Sequence, residues 1–340
     1  MWAPLATVAA EEGPEETKPL EVRNLWRIEW ANDAVVSSDN AFTNGFSVQR
    51  HSHQHDLWED MGPSKFSRWI SRTVPGLGDA GGRIVKRGSG VTQVMMTPED
   101  ISNPEPQLDD VPWAGALGWS DSWYAYDNKR LNAFQVYVGI LGPASLAEQT
   151  QILVHSLIGA DEPNGWDNQL KTEPLLNINY AYKYKLVSSK KYMKGFGGDL
   201  AVGAHAGLGN FWTFAEATLE ARFGWRLPRG FVNTPKPPAR GIMLDPTEGV
   251  PGKFHLYFSI AARVSATGYT VFYDGNTFTE SPHPGLEYDP VVRGAVFGIH
   301  MASKRFSAHL NLNVYNELPF ESENPVTDMT WGILTLEYRF

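Results

Sequence analysis

The chain has 340 residues, a net charge of −9 and no cysteine, so disulfide frameworks, thiolate nucleophiles and Cys-based zinc sites are excluded. The acidic balance, without a basic run, argues against a nucleic-acid partner. No stretch approaches the roughly 18 consecutive apolar residues of a membrane-spanning helix, which excludes only the helical mode of crossing a membrane.

Aromatic content is 12 %, with 12 Trp and 13 Tyr beside 32 Gly, a mixture suited to short alternating strands ringed by interfacial girdles. Mean hydropathy is −0.31, so hydropathy alone does not reveal such a barrel. Residues 1–10 are short, small and apolar, and Val8-Ala9-Ala10 reads as the tail of a secretory signal that lacks its basic start. The remainder, 11–340, is expected to form a single barrel domain.

Strand-like alternation begins at 24–36 and 42–51 and recurs at 90–97, 113–125 and 130–141. Residues 143–158 break the pattern. They open with Pro143, contain good helix formers and place Leu146, Leu153, Leu157 and Ile158 on one side, predicting an amphipathic helix. Alternation resumes in 176–186, where Leu176, Ile178, Tyr180, Tyr182, Tyr184 and Leu186 oppose Asn177, Asn179, Lys183 and Lys185. Further strands are expected at 198–209, 217–227, 253–264, 288–301 and 305–315, the outer row of 217–227 running from Ala217 to Leu227.

The chain closes on 330–340, where Gly332, Leu334, Leu336, Tyr338 and Phe340 share one face and Ile333, Thr335, Glu337 and Arg339 the other. An apolar, aromatic-tipped row backed by a largely polar one is what a lipid-facing barrel strand requires. The count is about twelve, even as in single-chain bacterial barrels. The predicted fold is all-β: a twelve-stranded antiparallel transmembrane barrel of the bacterial outer membrane, with a short helix in an extracellular connection. Two long connections, 52–89 and 228–252, rich in Gly, Pro and charge, have no assigned role. With the N-terminus in the periplasm, the loop at 36–41 and the excursion at 142–172 share the outer rim.

Polar residues cluster where chemistry would sit. Asn32-Asp33, Asp39-Asn40 and Phe42-Thr43-Asn44-Gly45 surround the first hairpin, and such hard oxygen donors suit calcium, although the same residues also build tight turns. If Trp26, Ile28 and Trp30 face lipid, the same parity points Asn32 outward. On the predicted helix, His155 follows Gln151 by four residues and precedes Asp161; an imidazole can take a proton from water, and a nearby carboxylate such as that of Asp161 can orient it.

In order, Asn32-Asp33, Phe42-Thr43-Asn44-Gly45, Met96-Thr97-Pro98, Leu141-Gly142-Pro143, Gln151-x-x-x-His155 and Gly165-Trp166 with Gln169 resemble the lipid A 3′-O-deacylase family over roughly residues 28 to 180. The resemblance implies a calcium-dependent monomeric esterase in the outer membrane. Its substrate would be the 3′-linked acyloxyacyl group of lipid A, the lipid anchor of lipopolysaccharide. His155 would be the general base, with Asn32, Asp33 and Thr43 in the same site. Asp161 stands where the family has Glu, and Ser102 to Gln107 contains no counterpart of a family lysine.

On this reading His155 activates water and calcium, held by Asp33 and Asn32, polarises the ester carbonyl. Asn32 would donate to the substrate or fix the ligand loop, and Thr43 would hydrogen-bond the site from the facing strand. Thr43 or Ser156 as nucleophile is less attractive, because either needs its own base in contact. The rival readings are an outer-membrane phospholipase and a non-enzymatic pore or structural barrel.

Overall fold

A computed structural model of the chain describes residues 24–32, 44–78, 82–231, 240, 253–303, 305–315 and 329–340. Twelve antiparallel strands form one closed barrel: β1 (Leu25–Asn32), β2 (Asn44–His51), β3 (Ile84–Met96), β4 (Ala114–Tyr126), β5 (Arg130–Leu141), β6 (Glu173–Val187), β7 (Phe196–Gly209), β8 (Trp212–Trp225), β9 (His255–Thr270), β10 (Val291–Ala302), β11 (Phe306–Tyr315) and β12 (Met329–Arg339). Closure is made by β1 against β12, with Leu25 opposite Arg339 and Asn32 opposite Gly332. Every strand therefore has two partners, and no sheet edge is left open to lipid.

Each expected strand is present, with most bounds close to those predicted; β3 begins at Ile84 rather than 90, β8 at Trp212 rather than 217, and β9 runs on to Thr270 rather than 264, while residues 33–36 of the first predicted strand and 42–43 of the second lie outside the described residues. A smaller correction concerns Leu227. It lies beyond the end of β8 and is fully buried, because the chain turns at Arg226, whose φ is +52°. Helical structure is short: α1 (Lys65–Thr73), α2 (Ala147–Ile158) and α3 (Val271–Asp274). The predicted helix at 143–158 is a 3-10 turn over Pro143–Ser145 followed by α2, the two separated by Leu146 at φ +60°.

Alternation sorts the side chains as the lipid and the lumen demand. Trp26, Ile28, Trp30, Leu310, Leu336 and Tyr338 are exposed outward, whereas Arg27, Glu29, Asn311, Thr335 and Glu337 are buried inside. Charges taken out of water are tolerated only when paired, and the lumen pairs them. Arg27 bonds Glu29 and Glu337 at 2.9 and 3.1 Å, Lys183 meets Glu220 at 2.8 Å, and Arg222 grips Asp199 at 2.9 and 2.6 Å. Ser259, His300 and His309 continue the network, with contacts of 2.8 and 2.9 Å.

Above these ion pairs, Tyr137, Phe211, Trp212, Phe272, Tyr315 and Trp331 pack into an apolar stopper. Burial pushes the Tyr273 phenol, at the end of that stopper, up to about 12. Arg240 from the β8–β9 connection also lies within the lumen, bonding Ser265 at 2.9 Å with its guanidinium 5.1 Å from the Trp212 ring. Among the described residues, ion pairs and aromatic side chains thus occupy the interior.

Candidate functional site

The connections after β1, β3 and β5 share the rim opposite the one from which β1 begins and at which β12 ends. At this rim α2 lies on the outside of the barrel wall. Close approach is possible because the contact is made by the smallest residues: a Cβ on Gly115 would stand 2.2 Å from the Ala147 Cβ. Met95, Trp113, Ala147 and Trp166 form a buried cluster there, with the Trp113 and Trp166 rings edge to face at 5.0 Å. Buried Gln151 accepts a 2.7 Å hydrogen bond from the Trp166 indole.

Other contacts tie the loops around the helix. Gln93, outward on β3, donates to the Ser145 carbonyl at 2.8 Å. Asn164 and Asn168 donate their side-chain amides to Ser102 and Pro104 of the β3–β4 connection. In that connection the Ser102 hydroxyl, bonded to Asp100 at 2.6 Å, holds the carboxyl below its usual range.

His155 is half-buried near the end of α2. Gly159 caps the helix at φ +71°, a conformation that favours glycine, and its N–H and that of Ala160 both bond the His155 carbonyl. This turn brings the Asp161 main-chain oxygen to 2.6 Å from His155 Nδ1. A carbonyl oxygen can only accept, so Nδ1 carries the hydrogen, and in the neutral ring Nε2 keeps its lone pair. Asp161 thus meets the imidazole through its backbone, while its side chain is exposed.

Asn32 ends β1 at the same rim. It shares the outward parity of Trp26, Ile28 and Trp30, as the alternation predicted, and lies in register with Asn44. Asn44 accepts from the Trp30 indole at 3.1 Å and is in turn opposite Met95, which packs with Ala147 of α2. Asn32 and His155 therefore occupy one rim and one face of the wall. Asp33 and Thr43 lie outside the described residues, as do Asp39 and Asn40. Among the described residues no group of three or more His, Asp or Glu is arranged to hold a metal ion.

Two features of the site have only a faint sequence signal. The Gly115–Ala147 contact would require knowing that a helix lies on that strand, and the Gln151–Trp166 bond joins residues 15 apart. Equally hidden is the direction of the leucine face. Leu153, Leu157 and Ile158 are 60, 76 and 70 % exposed, so α2 turns apolar side chains away from the barrel, not into it.

A closed twelve-stranded barrel with apolar residues outward, ion pairs inward and a helix packed on its outer wall is an integral outer-membrane protein. The chain belongs to the LpxR outer membrane protein family, whose model, described as outer membrane protein LpxR, matches residues 1–340. Among solved structures, LpxR from Salmonella typhimurium is similar in fold at 15 % identity and a TM-score of 0.71, covering 93 % of this chain and 100 % of that one. The KdgM porin in complex with disordered oligogalacturonate gives a TM-score of only 0.33 at 6 % identity, over 94 % of this chain and 99 % of that one. A search of curated proteins returned no match. Family membership places the chain in the bacterial outer membrane as a lipid A-modifying enzyme.

Proposed function

We propose that this protein is an esterase that removes the 3′-linked acyloxyacyl group of lipid A in the outer leaflet, with His155 as general base. The observation that carries the reading is the Nδ1 contact with the Asp161 carbonyl, which presents Nε2 as the basic atom. Nε2 takes a proton from a water as that water attacks the ester carbonyl, and returns it to the sugar 3′-oxygen as the C–O bond to that oxygen breaks, releasing the fatty acid and the free hydroxyl. The resulting imidazolium is stabilised through the Nδ1–H bond already in place. Base action of this kind is typically worth ~10² to 10⁴ in rate.

Asn32, outward on the wall, offers an amide to hold the substrate or the ligand loop, and the hydroxyl of Thr43 would hydrogen-bond the same site. Calcium dependence belongs to this proposal. The hard-oxygen residues Asn32 and Asp33 are its candidate ligands, of a type that suits calcium. When bound, such an ion supplies Lewis-acid stabilisation of charge on the ester oxygen.

The outward site suits a lipid ester that reacts without leaving the membrane, and the exposed leucines of α2 would lie among acyl chains. The filled lumen weighs against the pore reading, since ion pairs and an aromatic stopper occupy the path. The test is mass spectrometry of lipid A and glycerophospholipids from cells expressing the protein or His155→Ala. Loss of an acyloxyacyl mass from lipid A in the former alone is expected. Unchanged lipid A with new lysophospholipids would assign a phospholipase instead, and no change in either lipid would remove the enzyme.

A further inference from the structure

The β2–β3 connection does not hang free below the barrel. It climbs the outside of the wall at the rim carrying the described ends of the chain, where the turn over 127–129 and the one at 303–305 are short, as periplasmic turns are. Trp123 and Ala125 point outward from β4 yet are fully buried, because Trp58, Ile70 and Leu77 cover them. The contact is specific as well as apolar. Trp123 donates its indole N–H to Ser67 at 2.7 Å, Trp58 donates to the Leu77 carbonyl at 2.6 Å, and Tyr180 donates to the Pro75 carbonyl at 3.0 Å.

Helix α1 is the outermost layer of this excursion. Its inner face is Ser67, Ile70 and Ser71; its outer surface shows Phe66 and Trp69, 50 and 58 % exposed with rings stacked at 6.0 Å. The charges on the helix are Lys65, Arg68 and Arg72; the helix itself carries no carboxylate, and Glu59 of the preceding turn lies 3.9 Å from Arg72 with both side chains exposed to the surroundings. Aromatic residues on one side and cations on the other mark a helix that lies in a membrane interface. The position agrees. Trp26, Trp225, Phe254, Phe306 and Tyr338 are exposed near the same rim on other strands, so Phe66 and Trp69 continue the girdle where Trp123 is covered.

We propose that α1 is a foot in the periplasmic leaflet, its aromatics among the acyl chains and its cations bound to the headgroups of anionic glycerophospholipids. It stands below α2 on the same wall. Gly115 under α2 and Trp123 under α1 are about 27 Å apart along β4, comparable with the ~25 Å apolar band of such barrels once strand tilt is allowed for. One stretch of wall is therefore gripped from both leaflets, independently of what reaction the outer site performs.

The full chain in bilayer discs of equal phosphatidylglycerol and phosphatidylcholine provides the test, read as the lipids retained in native mass spectrometry. Wild type should retain phosphatidylglycerol preferentially. Lys65→Gln with Arg72→Gln, which spares the Arg68 bond to Pro63, should lower that preference by roughly fivefold per charge removed. Equal retention of the two lipids by wild type, or an unchanged ratio in the variant, would overturn the headgroup assignment. Because the chain has no cysteine, Trp69→Cys gives a single site for a spin label. Oxygen accessibility like that of a label at Leu336→Cys is expected; nickel-complex accessibility like that at Lys129→Cys would show that the foot stands in water and sink the proposal.

Discussion

The Nδ1 atom of His155 lies 2.6 Å from the main-chain oxygen of Asp161, six residues further along. The imidazole is thus oriented by a backbone group that no side-chain substitution removes. Its position depends on the left-handed turn at Gly159, so the conformation of a glycine, rather than a neighbouring side chain, sets the ring.

Replacement of His155 by Ala should lower lipid A deacylation by about 10² to 10⁴ while the barrel still shows heat-modifiable migration in gels. Full activity of the folded variant would exclude the base role.

Asp161→Ala should retain activity to within a few-fold, because its carbonyl remains. Gly159→Val should reduce kcat strongly, since a β-branched residue resists φ +71° and would pull the carbonyl away. Nδ1 chemical shifts from selectively labelled histidine would report the lost bond directly. The reverse pattern, with Asp161→Ala inactive and Gly159→Val active, would make the carboxylate the orienting group.

Asp33→Ala should raise the calcium concentration needed for half-maximal activity. A variant with unchanged EDTA sensitivity and full activity would count against Asp33 as a ligand.

Gly115→Val should detach α2 from the wall, because the new side chain must occupy the space of Ala147, at a typical overpacking cost of about 1–3 kcal/mol. Limited proteolysis at α2 would rise while barrel folding persists. Protection equal to wild type would mean that the contact is not tight.

His55 in the β2–β3 connection has a lowered pKa, first through burial and then through repulsion from His53, whose ring centroid is 3.9 Å away; Asp60 and Asp56 oppose the shift. A lowered folded value means that the fold prefers the neutral ring. The stability this contributes is present above the ordinary value of 6.5 and is lost as pH falls through the folded value. Protease sensitivity of 52–78 should therefore increase on acidification below about pH 6.5, and His55→Gln should flatten that dependence. An unaltered pH profile in the variant would remove His55 from the account.

Strand period two was legible because lipid and lumen impose opposite demands on neighbouring residues: Leu336 and Glu337 cannot exchange places without exposing a charge to acyl chains. The order of Asn32, Gln151 and His155 likewise carried the family. The role of the 52–89 stretch was not legible. Its Gly, Pro and charge read as loop composition, and nothing local to α1 says that it covers Trp123 or which strand supports it. The same holds for Arg240, whose place in the lumen depends on contacts with Trp212 and Ser265.

Sequence by itself determined the barrel, its strand count and the outward parity of Asn32, because these follow from a two-residue period and from the need to pair every backbone group in lipid. Only the tertiary structure decided that α2 turns its leucines outward, that His155 is held by a carbonyl, and that the lumen is filled. Those facts depend on which distant residues meet, such as Gly115 with Ala147 and Arg27 with Glu337, and a contact across strands leaves no period in the chain.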